Sequence, residues 1–325
     1  MPVQVQRQPE ADDTAANDRD LHFSSLCDYA VIVVVRPQED KDEPQGVERR
    51  CSVSFDPDVV RAFEHAGWQQ AAGGYEATFA RATGAFVEVL LDAASVAGGA
   101  RMLDLCCGTG VVTKAASDRG ATPVGLDFSP AMLTRAQATN PALRFAEGDA
   151  EAIPYPGSSF DAAVSNFGIH HIPRPERALA EACRVPKPGG QFAFTTWAVP
   201  SQNLAWRLLF DAIAVHGDPS AANTPPPGGN LGSPAAALRL LRRAGFQNSD
   251  AKMVERQWHL PDAAALIAAL RRGTVRTAAL IAAQPALALP AITAAVGRDI
   301  LRYRRGDGFA VPIMAILAFG TKSPG

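Results

Sequence analysis

The period of the apolar positions changes twice along the chain. Between 58 and 97 they recur at helical spacing, through VVRAFEHAGWQQ and then YEATFARATGAFVEVLLDAASV, where Phe79, Phe86, Val87, Leu90 and Leu91 share one face. From 101 onward short apolar runs alternate with amphipathic stretches. That pattern predicts strands at 101–106, 122–127, 143–148, 161–166 and 191–196, and helices at 111–119, 130–139 and 175–185. Strands and helices alternating at this spacing require right-handed crossovers and hence a parallel, doubly wound sheet, with ligands beyond the carboxyl ends of its strands.

After 200 the pattern is less regular. It predicts a helix at 201–215, a loop at 223–230 (NTPPPGGN) and a helix at 234–244 stopped by Gly245. Two β-like runs, 251–260 and 309–320, bracket Ala/Leu-rich helices that Pro285 and Pro290 interrupt. These helices are read as a cap over the active site; the competing reading has them cover one sheet face. Before about residue 50 there is little periodicity apart from YAVIVVV at 29–35, which fits either an added edge strand or an aggregation-prone segment. The expected organisation is a flexible extension over 1–52 and one domain over 53–325. Within the domain, helices leading into the sheet occupy 53–98, the ligand-binding core 99–200, and the C-terminal strands 201–325 with the cap at 261–305.

Composition narrows the function. The chain has 325 residues, 47% of them hydrophobic, enough for a substantial core. A net charge of -2 with acids and bases interspersed offers no broad cationic face, which argues against a nucleic-acid partner. The polar, acid-rich start lacks the regions of a signal peptide, and no apolar run reaches the ~18 residues of a membrane span, so a cytoplasmic location is expected. The five cysteines include no CxxC pair, and the six histidines show no ligand spacing with acids. Neither a disulfide framework nor a metal site is therefore expected. No pattern reports the oligomeric state.

The chemistry concentrates in LDLCCGTG at 103–110 and in VGLDFSP, whose acid Asp127 lies on the next strand. Small residues in a strand-to-helix turn let the backbone approach a ligand, and a carboxylate at a strand end can accept hydrogen bonds from both hydroxyls of a ribose. A nucleoside-containing cofactor is expected. The dinucleotide pattern G-x-G-x-x-G fails, because Thr113 stands where its third glycine would be. Asp104 adds a negative charge just before the turn, unfavourable beside a pyrophosphate but favourable near a sulfonium and an α-amino group. The charges favour S-adenosylmethionine over NAD.

The run LDLCCGTG…VGLDFSPAML…FAEGDAEAIPYPGSSFDAAVSNFGIHHIPRPERALAEACRVPKPGGQFAFTTW resembles the class I S-adenosylmethionine-dependent methyltransferases, and among them the type 11, or ubiquinone/menaquinone-biosynthesis-like, group. The resemblance implies a Rossmann-like α/β fold with a doubly wound, seven-stranded, mostly parallel sheet, an antiparallel C-terminal strand and a helical cap inserted between the last two strands. It also implies S-adenosylmethionine as methyl donor, S-adenosylhomocysteine as product and no metal. By resemblance Asp104, Cys106, Gly108 and Gly110 line the methionine portion, and Asp127 binds the ribose. Phe128 and Met132 flank the adenine, Asp149 and Ala150 meet its edge, and Asn166 lies under the sulfonium end. Cys106 departs from the pattern by replacing the first glycine of the turn.

His170 and His171, just past the strand bearing Asn166, are the candidate general bases by position, or else they only shape the loop before Pro173. Neighbouring side chains there should point apart, so at most one faces the acceptor. Trp68 and Tyr75 resemble aromatic residues that close over the cofactor and border the acceptor in related enzymes; core packing is the alternative. Their separation of seven suits one helix face, although Gly73-Gly74 is expected to interrupt it. Neither an Asn/Asp-Pro-Pro-Tyr/Phe turn nor a Pro-Cys follows the fourth core strand, where the chain reads Ser165-Asn166-Phe167-Gly168. The expected reaction is thus O-, N- or C-methylation of a small, partly apolar acceptor. Its rivals are a non-catalytic binder of the same cofactor and an NAD-dependent oxidoreductase.

Overall fold

A computed structural model of the chain describes residues 55–324 except 226, 228 and 230. The extension expected over 1–52, with its run at 29–35, lies outside the described residues. Helix α1 (Pro57–Gly74) opens the fold. Asp56 caps it by accepting from the Asp58 and Val59 amides, and Pro57 supplies a preset φ at the first turn.

The expected break at Gly73-Gly74 does not occur. The helix runs through both glycines into a five-residue π-helical turn (Tyr75–Phe79), then α2 (Ala80–Gly84) and α3 (Val87–Ala93). Glycine serves close approach here. A Cβ on Gly74 would lie 2.3 Å from the Arg272 carbonyl oxygen, and one on Gly67 2.2 Å from Val275.

The alternating section follows its expected order: β1 (Arg101–Leu105), α4 (Val111–Asp118), β2 (Thr122–Asp127), α5 (Pro130–Thr139), β3 (Arg144–Glu147), β4 (Phe160–Asn166), α6 (Pro175–Arg184) and β5 (Pro186–Trp197). Next come α7 (Leu204–His216), α8 (Pro234–Arg243) and β6 (Phe246–Leu260). The helices α9 (Ala264–Gly273), α10 (Arg276–Ala282) and α11 (Leu289–Asp299) then separate β6 from the two-residue β7 (Arg304–Arg305) and the final β8 (Gly308–Lys322). The sheet runs β3-β2-β1-β4-β5-β8-β6, with β7 paired to β8 as the eighth strand. Strands β1 to β5 are parallel, and β8 is antiparallel to both β5 and β6. The chain reverses its direction of winding between β1 and β4, which puts a ligand crevice at their carboxyl ends.

Strand β6 starts five residues earlier than its apolar pattern suggests. Its first segment, FQNSD, is polar, and a register shift between Gln247 and Asp250, with Asn248 at φ 47, bends it along the sheet edge. One sheet face buries Leu103, Leu126, Phe160 and Phe192 against α6 and α8; the other buries Met102, Val164 and Leu317 against α3 and α4. A third cluster gathers beyond the carboxyl ends of β4, β5 and β6, where Phe79, Phe86, Phe167, Trp206 and Trp258 pack with residues of α7, α9 and α11. No helix among the described residues is long and apolar enough to cross a membrane.

Candidate active site

The turn after β1 is built from left-handed backbone. Cys106 has φ 57, Gly108 φ 54 and Gly110 φ 82, the last against the ring of Phe145. Cys106 therefore occupies a glycine-type conformation, at a cost of roughly 1–2 kcal/mol. A Cβ on Gly108 would meet nothing within 4 Å, so this backbone borders open space. Burial pushes both thiols, Cys106 and Cys107, well up.

Asp104 is buried under this turn. Its Oδ2 accepts from the Thr113 hydroxyl at 2.6 Å, but Oδ1 is buried without a hydrogen-bond partner, as are the hydroxyls of Thr109 and Ser165. Burial, opposed by Thr113 and reinforced by the charge of Asp127, raises the Asp104 carboxyl to about 7. Asp127, at the tip of β2, accepts from the Gly108 amide at 2.8 Å and the Ser129 amide at 2.9 Å. Burial outweighs these bonds and raises its carboxyl to about 6. Two poorly solvated acids, one with an unpartnered oxygen, and two unpartnered hydroxyls make a set of polar groups suited to a ligand with an amine and a diol. These residues fit S-adenosylmethionine. Among the described residues, no three His, Cys, Asp or Glu side chains gather into a metal-holding group.

Helix α1 fastens the remaining loops of the crevice. Gln69 accepts from the Ser129 hydroxyl at 2.7 Å and the Ala131 amide at 2.8 Å, and His65 meets Phe128 edge-on at 5.3 Å. Arg61 pairs with Asp149, and its other terminal nitrogen lies 3.2 Å from Glu151. Both Asp149 oxygens are thereby engaged, one by Arg61 and the other by the Glu151 amide at 2.8 Å. Met132 and Ala150 are buried in the packing around this crevice. Pattern reading missed Arg61 and Gln69, which lie on a helix with no motif.

Asn166, at the end of β4, donates to the Thr83 carbonyl at 3.1 Å and accepts from Thr195 at 2.6 Å, tying α2 to the sheet. Trp68 meets Tyr75 edge-on at 5.9 Å and His171 at 4.9 Å, so the unbroken helix does bring the two aromatic residues together. The Tyr75 hydroxyl lies 2.7 Å from that of Thr83. Burial pushes its phenol up to about 12, with the charges of Asp127 and Asp104 adding to the rise. Tyr75 therefore stays protonated at neutral pH.

The two histidines sit on a tight 3-10 turn, Ile169–His171. Their rings do not splay apart as expected of neighbours; their centroids are 4.1 Å apart. Their partners differ. His170 is buried with Nδ1 3.2 Å from Thr196, and burial holds it well below the usual imidazole range. His171 places Nδ1 3.0 Å from Glu64 of α1, which is fully buried and also accepts from Arg276 of α10 at 2.7 Å. Burial alone would raise the Glu64 carboxyl, but His171 and Arg276 pull it below the usual range. Glu64 and Arg276 were absent from the sequence reading. One signal was present, since Glu64 shares the buried side of α1 with Val60 and Ala71.

Residues 103–194 match the family described as Methyltransferase domain. A demethylmenaquinone methyltransferase of Renibacterium salmoninarum is 35% identical over 135 residues, covering 42% of this chain and 56% of that protein. An uncharacterised Mycobacterium tuberculosis protein is 28% identical over 218 residues, covering 59% of this chain and 78% of its own. The chain spans about half the length of the demethylmenaquinone methyltransferases it matches. Among solved structures, a chain of the complex between the Haloferax volcanii Trm112 methyltransferase activator and a methyltransferase aligns with a TM-score of 0.50 at 20% identity. That alignment covers 83% of this chain and 98% of the other, a likeness of fold.

Proposed function

We propose that this chain, a member of the class I S-adenosylmethionine-dependent methyltransferases of the ubiquinone/menaquinone-biosynthesis-like type, methylates a small, partly apolar acceptor. The observation that carries the reading is the unpartnered, buried Oδ1 of Asp104, close to Asp127 and under a turn whose Gly108 borders open space. When bound, S-adenosylmethionine supplies a methyl carbon activated by a positive sulfur. Asp104 holds the amine end and Asp127 the ribose diol, with Cys106, Gly108 and Gly110 giving backbone room. Phe128 faces the adenine under the cover of α1. Alignment of nucleophile, methyl and sulfur can by itself account for about 7–11 kcal/mol of a displacement barrier, so positioning is the main task of the protein.

For the acceptor, the relatives named demethylmenaquinone methyltransferase favour a quinone ring, whose two-electron reduced form is a hydroxylated aromatic ring. The rings gathered around Tyr75, Phe79 and Trp197 suit such a planar apolar group. Thermal denaturation with S-adenosylhomocysteine and, separately, NADH tests the donor. A ligand at a hundred times its dissociation constant stabilises by about 2.7 kcal/mol. The expected result is a shift with S-adenosylhomocysteine; a shift with NADH alone would end the methyltransferase reading.

A further inference from the structure

Three charged or titratable groups from distant parts of the chain meet beside the aromatic wall: Glu64 from α1, His171 from the turn after β4, and Arg276 from the helical insertion. Arg276 lies 212 positions from Glu64 in sequence, and His171 lies 107. Glu64 is fully buried, and its two oxygens are divided between its partners, Oε2 to His171 and Oε1 to Arg276. Arg276 donates through Nη1 to the Pro225 carbonyl at 2.5 Å, while Nη2 is buried with no hydrogen-bond partner. The Nε2 of His171 likewise has no hydrogen-bond partner among the described residues, and its ring edge rests on Trp68, which also touches Tyr75. A buried ion pair of this kind adds little stability over apolar packing.

We propose that Glu64 is a positioning residue that holds His171 as the general base of the reaction, and that the spare Nη2 of Arg276 receives the oxygen of an acceptor bearing an acidic ring hydroxyl. The proposal rests on the methyltransferase reading and specifies its acceptor class and proton path. Glu64 accepts the Nδ1 proton of His171, which fixes the tautomer with a free lone pair on Nε2. The acceptor O–H bond breaks and its proton forms an N–H bond on Nε2. The electron pair stays on that oxygen, which uses it to bond the methyl carbon as the carbon–sulfur pair departs with sulfur.

Charge supports the assignment. With His171 neutral, the ionised Glu64 and Arg276 cancel; once His171 takes the proton the group carries one positive charge, next to an acceptor turned anion. The groups facing His171 are Glu64 and Trp68 from α1 and His170 from its own turn, with Arg276 of α10 on the other oxygen of Glu64. Burial, with the charge of Arg276, holds His170 well below the usual imidazole range, so it does not compete for the proton.

Nitrogen NMR of histidine-labelled full-length protein saturated with S-adenosylhomocysteine reads the tautomer without any turnover. The expected spectrum shows His171 protonated at Nδ1, and Glu64→Gln, whose amide can donate as well as accept, weakens that tautomer preference. With 1,4-dihydroxynaphthalene as acceptor probe, His171→Ala should lose ~10²–10⁴-fold in kcat. Added imidazole should restore part of it, which a merely structural role would not allow. Arg276→Gln should raise KM for the probe at least tenfold, with S-adenosylhomocysteine affinity kept in every variant. Should Glu64→Gln fail to fold, the wild-type tautomer and the imidazole rescue carry the test. An Nε2–H tautomer in the wild type, or His171→Ala turnover equal to wild type, overturns the proposal. A wild type that binds S-adenosylhomocysteine but leaves the probe unmethylated overturns the acceptor class. A wild type that does not bind it at all overturns the methyltransferase reading instead.

Discussion

Oδ1 of Asp104 is a buried carboxylate oxygen with no protein partner, and its titration should reveal its purpose. Burial raises Asp104 to about 7 and Asp127 to about 6, so the ligand-free fold holds protons that the unfolded chain has released. The contribution of such groups is fully present below about pH 4 and fades as pH rises through their folded values. Calorimetry should accordingly show ligand-free stability falling from pH 5 to 7.5, with a smaller fall in Asp104→Asn, which cannot ionise. A cationic ligand favours the ionised acids, so S-adenosylmethionine should bind more tightly as pH rises over the same window. Asp127→Ala removes hydrogen bonds of the charged type, each worth about 1.5–3 kcal/mol, and should weaken that binding at least tenfold by titration calorimetry. Asp104 and Asp127 were legible in the sequence because an acid next to a small-residue turn is a local pattern. Glu64 and Arg276 were not, since only folding brings together positions 212 apart.

Helices and strands were legible wherever their burial is one-sided. The parallel section, with one buried stripe per helix, followed its apolar period closely. The start of β6 escaped because it is an exposed edge whose polar residues carry a bulge. Gly73-Gly74 misled for a related reason: glycine lowers helix propensity locally, but here tertiary contact decides. Gly74 lets α1 touch the backbone at the end of α9, where a Cβ would lie 2.3 Å from the Arg272 carbonyl. Gly74→Ala should therefore destabilise the protein by roughly 1–3 kcal/mol in urea unfolding, although alanine is the better helix former. Gly84→Ala, whose new methyl group meets only Val111 at 3.9 Å, should be neutral or slightly stabilising in the same measurement.

Across the molecule, α1 links the parts of the crevice. Arg61 reaches the loop after β3, Gln69 the start of α5, and Glu64 both the turn after β4 and the inserted α10. Binding in the crevice should thus slow amide exchange in α1 and at 169–171 as well as at 106–110. Hydrogen-exchange mass spectrometry with S-adenosylhomocysteine checks this; protection confined to 106–110 would show that α1 is not coupled to the site. The sequence by itself determined the order of strands and helices, the small-residue turn after β1 and the two acids beside it, because each depends on residues within a turn or two of one another. The tertiary structure alone decided which side chains close the site. Helix α1 and the inserted helices carry no motif, and the pairing of Glu64 with His171 and Arg276 exists only once the sheet has set their distances.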